Sequence, residues 1–86
     1  MRRDPDYFDG QEVILIYSAR RLKEALAVEQ ALDAAGLDYM VEPVPYSSGF
    51  LFLSQRIGAF FYITAQWEDR ARAQLREHGF KSFEGA

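Results

Sequence analysis

The stretch from Ala25 to Pro45, ALAVEQALDAAGLDYMVEPVP, constrains this chain more tightly than any other. Alanine and leucine carry the best helix propensities, and here they recur at helical spacing until Gly36 interrupts them. A glycine just past the last periodic residue marks a C′ position, free to take positive φ. Strand grammar resumes at once, with Leu37, Tyr39 and Val41 on one face, and Pro43 and Pro45 then stop the ladder because neither can donate a backbone hydrogen bond. A helix returning directly into a strand belongs to a layered unit of helices on a sheet.

Elements on either side extend that unit. Val13 to Tyr17 is a strand-length run of β-branched and large apolar residues, and Ser18 stands as a plausible N-cap for a helix over Ala19 to Ala35. Farther on, Ile57, Ala59, Phe61 and Ile63 share one face of a third strand, while Gly58, Phe60, Tyr62 and Thr64 share the other. Phe50 to Leu53 fits either a hairpin extension or a short extra strand. Glu68 to His78 reads as a second helix with acids in its first turn and Gly79 as its stop, and Phe80 to Phe83 is available to close the sheet.

The expected order is β-α-β-β-α-β, the split βαβ or ferredoxin-like pattern, an α+β two-layer sandwich with a four-stranded antiparallel sheet. Residues 1–10 hold three aspartates and a proline without periodicity. They are expected to form a flexible arm, with Tyr7 and Phe8 tucked against a single domain spanning 11–86.

Composition narrows the function classes. At 86 residues, 49% hydrophobic and 27% charged, the chain suits one globular core. A net charge of -3 argues against general nucleic-acid binding, which rests on clustered Lys and Arg. There is no cysteine, which removes disulfides, thiolate metal sites and thiol nucleophiles. The apolar runs are far short of a membrane span, so a soluble, cytoplasmic protein without cofactors is the expectation.

The Ala25, Leu26, Glu29, Leu32 helix, the Ala35-Gly36-Leu37 turn and Pro43-Val44-Pro45 together resemble a family of small bacterial selenium- or sulfur-carrier-like domains of unassigned function. These are similar in turn to PII-like signal-transducing domains. The resemblance covers roughly Val13 to Phe83. It implies a ferredoxin-like fold and a partner- or effector-binding connection between the second and third strands. The family carries a Cys-Gly pair after Pro-x-Pro, where this chain has Ser48-Gly49. A serine hydroxyl has no thiolate form and cannot hold a persulfide or selenide.

Several candidate sites follow, each with a plainer alternative. At about 100° per residue, Leu22, Ala25, Leu26, Glu29 and Leu32 fall in one arc of the first helix, which places Glu29 in or beside the buried stripe. It is either a carboxylate able to accept a proton or grip a cation, or a structural acceptor at the stripe edge, bonded to the following loop or to Arg56. The structural role is favoured, since buried carboxylates are usually paired.

Ser18, Arg20 and Arg21 stand at the start of that helix, where cations oppose the macrodipole. They form either an anion site for a phosphate or carboxylate or a solvated face offset by Glu24 at i+4 from Arg20. The loop holding Tyr46, Ser47, Ser48, Gly49 and Phe50 is a candidate ligand- or partner-binding segment, or else a hairpin covering the sheet edge. Phe60 and Tyr62 lie on the sheet face the helices leave bare, a candidate homodimer interface. RNA stacking there is disfavoured, because Arg56 to Ile63 lacks the second-position glycine and the last aromatic of the RNA-binding octamer. His78 has no companions at metal-ligand spacing and suits a helix C-terminus.

The reading is a non-enzymatic regulatory or adaptor module, with no catalytic or metal site, that binds a partner protein or a small anion. The alternatives are a carrier-like protein that has lost its thiol, and a structural homodimer.

Overall fold

A computed structural model of the chain describes residues 1–47 and 55–80. Strand β1 (Val13–Ala19) leads into helix α1 (Leu22–Ala34), strand β2 (Met40–Ser47), strand β3 (Gln55–Thr64) and helix α2 (Glu68–Glu77). Short 3-10 turns occupy Pro5–Phe8 and Ala65–Trp67.

The sheet order is β1-β3-β2, with β3 antiparallel to both neighbours. β1 and β2 therefore run parallel with β3 inserted between them, and α1 is the crossover that returns the chain antiparallel to both. The fold is thus α+β, with two helices on a three-stranded antiparallel sheet among the described residues. Of the segment expected to supply a fourth strand only Phe80 is described, and its ring meets Tyr17 of β1 edge-on at 5.6 Å. Phe50 to Leu53 also lies outside the described residues.

Both helices end in the same device. At α1 the Leu37 N–H donates to the Leu32 carbonyl at 3.2 Å and the Gly36 N–H to the Asp33 carbonyl at 3.0 Å. At α2 Phe80 donates to Leu75 at 2.8 Å and Gly79 to Arg76 at 3.0 Å. These are Schellman pairs, and they require the left-handed backbone seen at Gly36 (φ 72) and Gly79 (φ 83). Each reverses the chain so that the following apolar residue, Leu37 or Phe80, comes back against the core.

The helix starts differ from expectation. β1 continues through Ser18 and Ala19, which pair with Phe60 and Ala59, so Ser18 is not an N-cap and α1 begins three residues after Ala19's predicted start. The strand wins because β3 is long enough to keep pairing. Arg21 is the N-cap, with no side-chain cap bond, and Glu24 reaches back past it to accept from the Arg20 N–H at 3.0 Å.

The buried stripe is also rotated. Ala25, Val28, Ala31 and Leu32 are buried, whereas Leu22 is 72% and Leu26 50% exposed. Alanines on the sheet side let α1 approach closely, and Val28 rather than Leu26 fills the space. Glu29 consequently stands at the stripe edge.

β2 runs through both prolines, contrary to the expectation that they end it. Tyr39 shows why. Its N–H and carbonyl both bond outward, to Met1 and Arg3, so residues of the same parity, Pro43 and Pro45, lack only donors that would face away from β3. An edge strand tolerates that loss.

The core lies between the helices and the inner sheet face. Ile16 (at a bulge in β1), Val28, Leu32, Tyr39, Phe61, Ile63 and Leu75 are all at 0% exposure. Gln74 Nε2 donates to the Ala31 carbonyl at 3.0 Å and Arg70 to the Ala35 carbonyl at 2.8 Å, tying α2 to the end of α1. Phe8 is buried outside this cluster. The arm that carries it bridges through Arg2 to Tyr39, the residue before β2, then crosses to the opposite edge of the sheet where β1 starts. No helix among the described residues is long and apolar enough to cross a membrane.

Candidate functional site

α1 starts where two arginines leave β1, and it packs on the inner face of the sheet against β3 and β1. At that end a gap remains between helix and sheet, with Ala25 on its helix side. The gap is a cavity of about 550 Å³, within the ~300–1,000 Å³ range of small-molecule sites. Leu22 and Ala25 from α1 form one wall, and Val41, Pro43 and Ala59 form the other. Arg20, Arg21, Arg2 and Glu29 supply its charges.

Two of the sequence candidates, Arg20 and Arg21, therefore converge on one site. Ser18 does not join them: it pairs with Phe60, whose side of β3 is opposite to that of Ala59 and Phe61. Tyr46 and Ser47 lie in the last residues of β2, while Ser48, Gly49 and Phe50 fall outside the described residues.

Glu29 is half-buried and accepts a hydrogen bond from the Tyr39 hydroxyl at 3.3 Å. That matches the stripe-edge acceptor role, with Tyr39 as the donor. The Tyr39 hydroxyl stays protonated far above neutrality, because burial and then the charges of Glu29 and Asp33 penalise the phenolate. It is a permanent donor, and it holds Glu29 at the cavity wall.

Glu24, one turn earlier, is engaged away from the cavity. It accepts from the Tyr17 hydroxyl at 2.5 Å as well as from the Arg20 N–H. Burial, followed by the hydrogen bond and charge of Glu24, pushes the Tyr17 phenol up to about 12.

Arg2 is the lining residue that sequence reasoning missed. It reaches the cavity because the arm docks on β2. Arg3 Nε pairs with Asp38 at 3.0 Å, the Tyr7 hydroxyl donates to the same carboxylate at 3.1 Å, and Arg3 also stands 4.8 Å from the Tyr7 ring. Burial pushes Asp38 up, but the hydrogen bonds from Arg3 and Tyr7 together with the Arg3 charge outweigh it and hold the carboxyl below its usual range. Among the described residues, the cavity wall carries three arginines, Arg2, Arg20 and Arg21, and one carboxylate, Glu29, beside an apolar floor.

On the opposite sheet face, Phe60 and Tyr62 lie as expected, with Leu15 and Met40 paired to Tyr62 and all four half-buried. The Tyr62 hydroxyl donates to Glu42 at 3.3 Å, and its phenol is raised by burial and by that carboxylate. His78 is exposed at the end of α2, its Nδ1 3.1 Å from the Gln74 carbonyl. Among the described residues no three His, Cys, Asp or Glu side chains converge as a metal site. No protein-family model matches this chain, and no significant similarity to a curated protein or a solved structure is found.

Proposed function

We propose that the chain is a small, non-enzymatic regulatory module whose cavity binds a small organic anion with an apolar body. The observation that carries this reading is the pair Arg20 and Arg21 standing at the mouth of a cavity of about 550 Å³ over Leu22, Ala25 and Val41. A guanidinium recognises a carboxylate or phosphate in a planar fork, and the N-terminal N–H groups of α1 add to the same field. Placing arginine at the N-cap forgoes the acidic or hydroxyl residue that would stabilise α1 there, a cost that a ligand contact explains.

The test is a thermal-shift titration with octanoate and suberate, using inorganic phosphate as the comparison. At ten times the dissociation constant, a rise in Tm of about 5 °C or more is expected for a domain of this size. An Arg20→Ala, Arg21→Ala variant should lose that rise while keeping its own melting transition. A wild type whose Tm none of the three anions changes would defeat the reading.

A further inference from the structure

The cavity is charged differently at its two ends. Arg20 and Arg21 precede the first turn of α1, whereas Glu29 lies eight residues beyond Arg21, about 12 Å along the helix at 1.5 Å per residue. Arg2 belongs to the Glu29 end, because it bridges to Tyr39, whose hydroxyl donates to Glu29. From Tyr39, the residue before β2, to Pro43 the extended backbone advances about 13 Å at 3.3 Å per residue, so the sheet wall covers the same length as the helix wall.

Arg2 and Glu29 both line the cavity, yet neither is in an ion pair among the described residues. Opposite charges that face one cavity without pairing can be bridged by a group that carries both signs itself. Resting on the anion-binding reading above, we infer that the ligand is an α-amino acid whose side chain is an apolar spacer ending in an acid. Its ammonium meets Glu29, its α-carboxylate meets Arg2, and its distal acid meets Arg20 and Arg21. The apolar spacer lies along Ala25, Val41 and Pro43. Glu29 is then the residue that selects amines, and Arg2 the residue that selects the α-carboxylate.

Four probes dissect this: aminosuberate, suberate, ω-aminooctanoate and octanoate, titrated calorimetrically into wild type, Glu29→Gln and Arg2→Ala. Glutamine keeps an acceptor for the Tyr39 hydroxyl, and Arg2 is exposed, so both variants should retain the wild-type fold. Wild type should bind aminosuberate about tenfold tighter than either suberate or ω-aminooctanoate, the scale of one charge-assisted hydrogen bond. Glu29→Gln should remove only the advantage over suberate, and Arg2→Ala only the advantage over ω-aminooctanoate. Equal wild-type affinity for aminosuberate and suberate would overturn the inference, as would a Glu29→Gln variant that weakens all four probes alike. If octanoate binds wild type but not the Arg20→Ala, Arg21→Ala variant, and the amine adds nothing, the inference alone falls. If no acid binds, the anion-binding reading falls with it.

Discussion

The two described helices of this protein end alike and begin differently. α1 and α2 each close with a glycine at positive φ and the same pair of reversed hydrogen bonds, and each sends an apolar residue back to the core. At their starts, α2 opens on Glu68 and Asp69, with Glu68 paired to Arg72 at 2.9 Å, as the macrodipole prefers. α1 also carries a first-turn acid, Glu24, but it has Arg21 at its N-cap, next to Arg20 and against a cavity, and neither helix has a side-chain cap bond. The shared ends are what two helices need in order to fold onto one sheet. The difference at the starts marks the place where the chain gives up local stability, and the cavity lies there.

The largest effects should come from breaking what the two ends share. Leu32 and Leu75 each accept the outer bond of a Schellman pair and are wholly buried. Leu32→Ala and Leu75→Ala should each cost about 2–5 kcal/mol in denaturant unfolding. Leu22→Ala, at 72% exposure, should change stability by less than about 0.5 kcal/mol. A large loss from Leu22→Ala would mean that the stripe of α1 is centred where simple periodicity puts it.

Next in size are the glycines. Gly36→Ala and Gly79→Ala have open space for the added methyl group but must hold a left-handed backbone. Each should cost about 1–2 kcal/mol, and near-equal values would confirm that the two ends are equivalent.

A smaller effect separates the two halves by pH. β1 and α1 are clasped by Tyr17 and Glu24, a contact that α2 lacks. Since burial and Glu24 raise the folded phenol from 10.0 to about 12, its contribution is fully present below pH 10 and is lost as pH rises toward 12. Tyr17→Phe should therefore flatten the fall in stability across that window. Asp38 behaves in the opposite sense: its carboxyl is held low, so the arm's anchor is present at neutral pH and lost as pH falls through the folded value. Asp38→Asn should remove that acid-limb dependence, read as Tm against pH.

How much of this was legible in the sequence depends on the range of the interactions involved. Gly36, Gly79 and the acids of α2 are local signals, and they mark the helix ends and the return into β2 without tertiary knowledge. The rotation of α1 was not legible, because Leu22, Leu26 and Val28 are all apolar and only the sheet decides which of them it covers. Pro43 and Pro45 end a central strand, but among the described residues β2 is an edge, a fact set by β3 pairing on its other side. The site was half legible. Arg20 and Arg21 announce themselves by opposing the dipole, while Arg2 arrives through a parallel bridge to a residue far along the chain, for which no local pattern exists.

One substitution tests most directly whether the start of α1 exchanges stability for binding. Arg21→Asp supplies the missing N-cap acceptor and complements the dipole, so it should stabilise the fold by about 0.5–2 kcal/mol and raise Tm by several degrees. The same variant should lose the thermal response to octanoate and suberate seen with wild type. A Tm that falls, or a ligand response that survives unchanged, would contradict the assignment of Arg21 to a binding site.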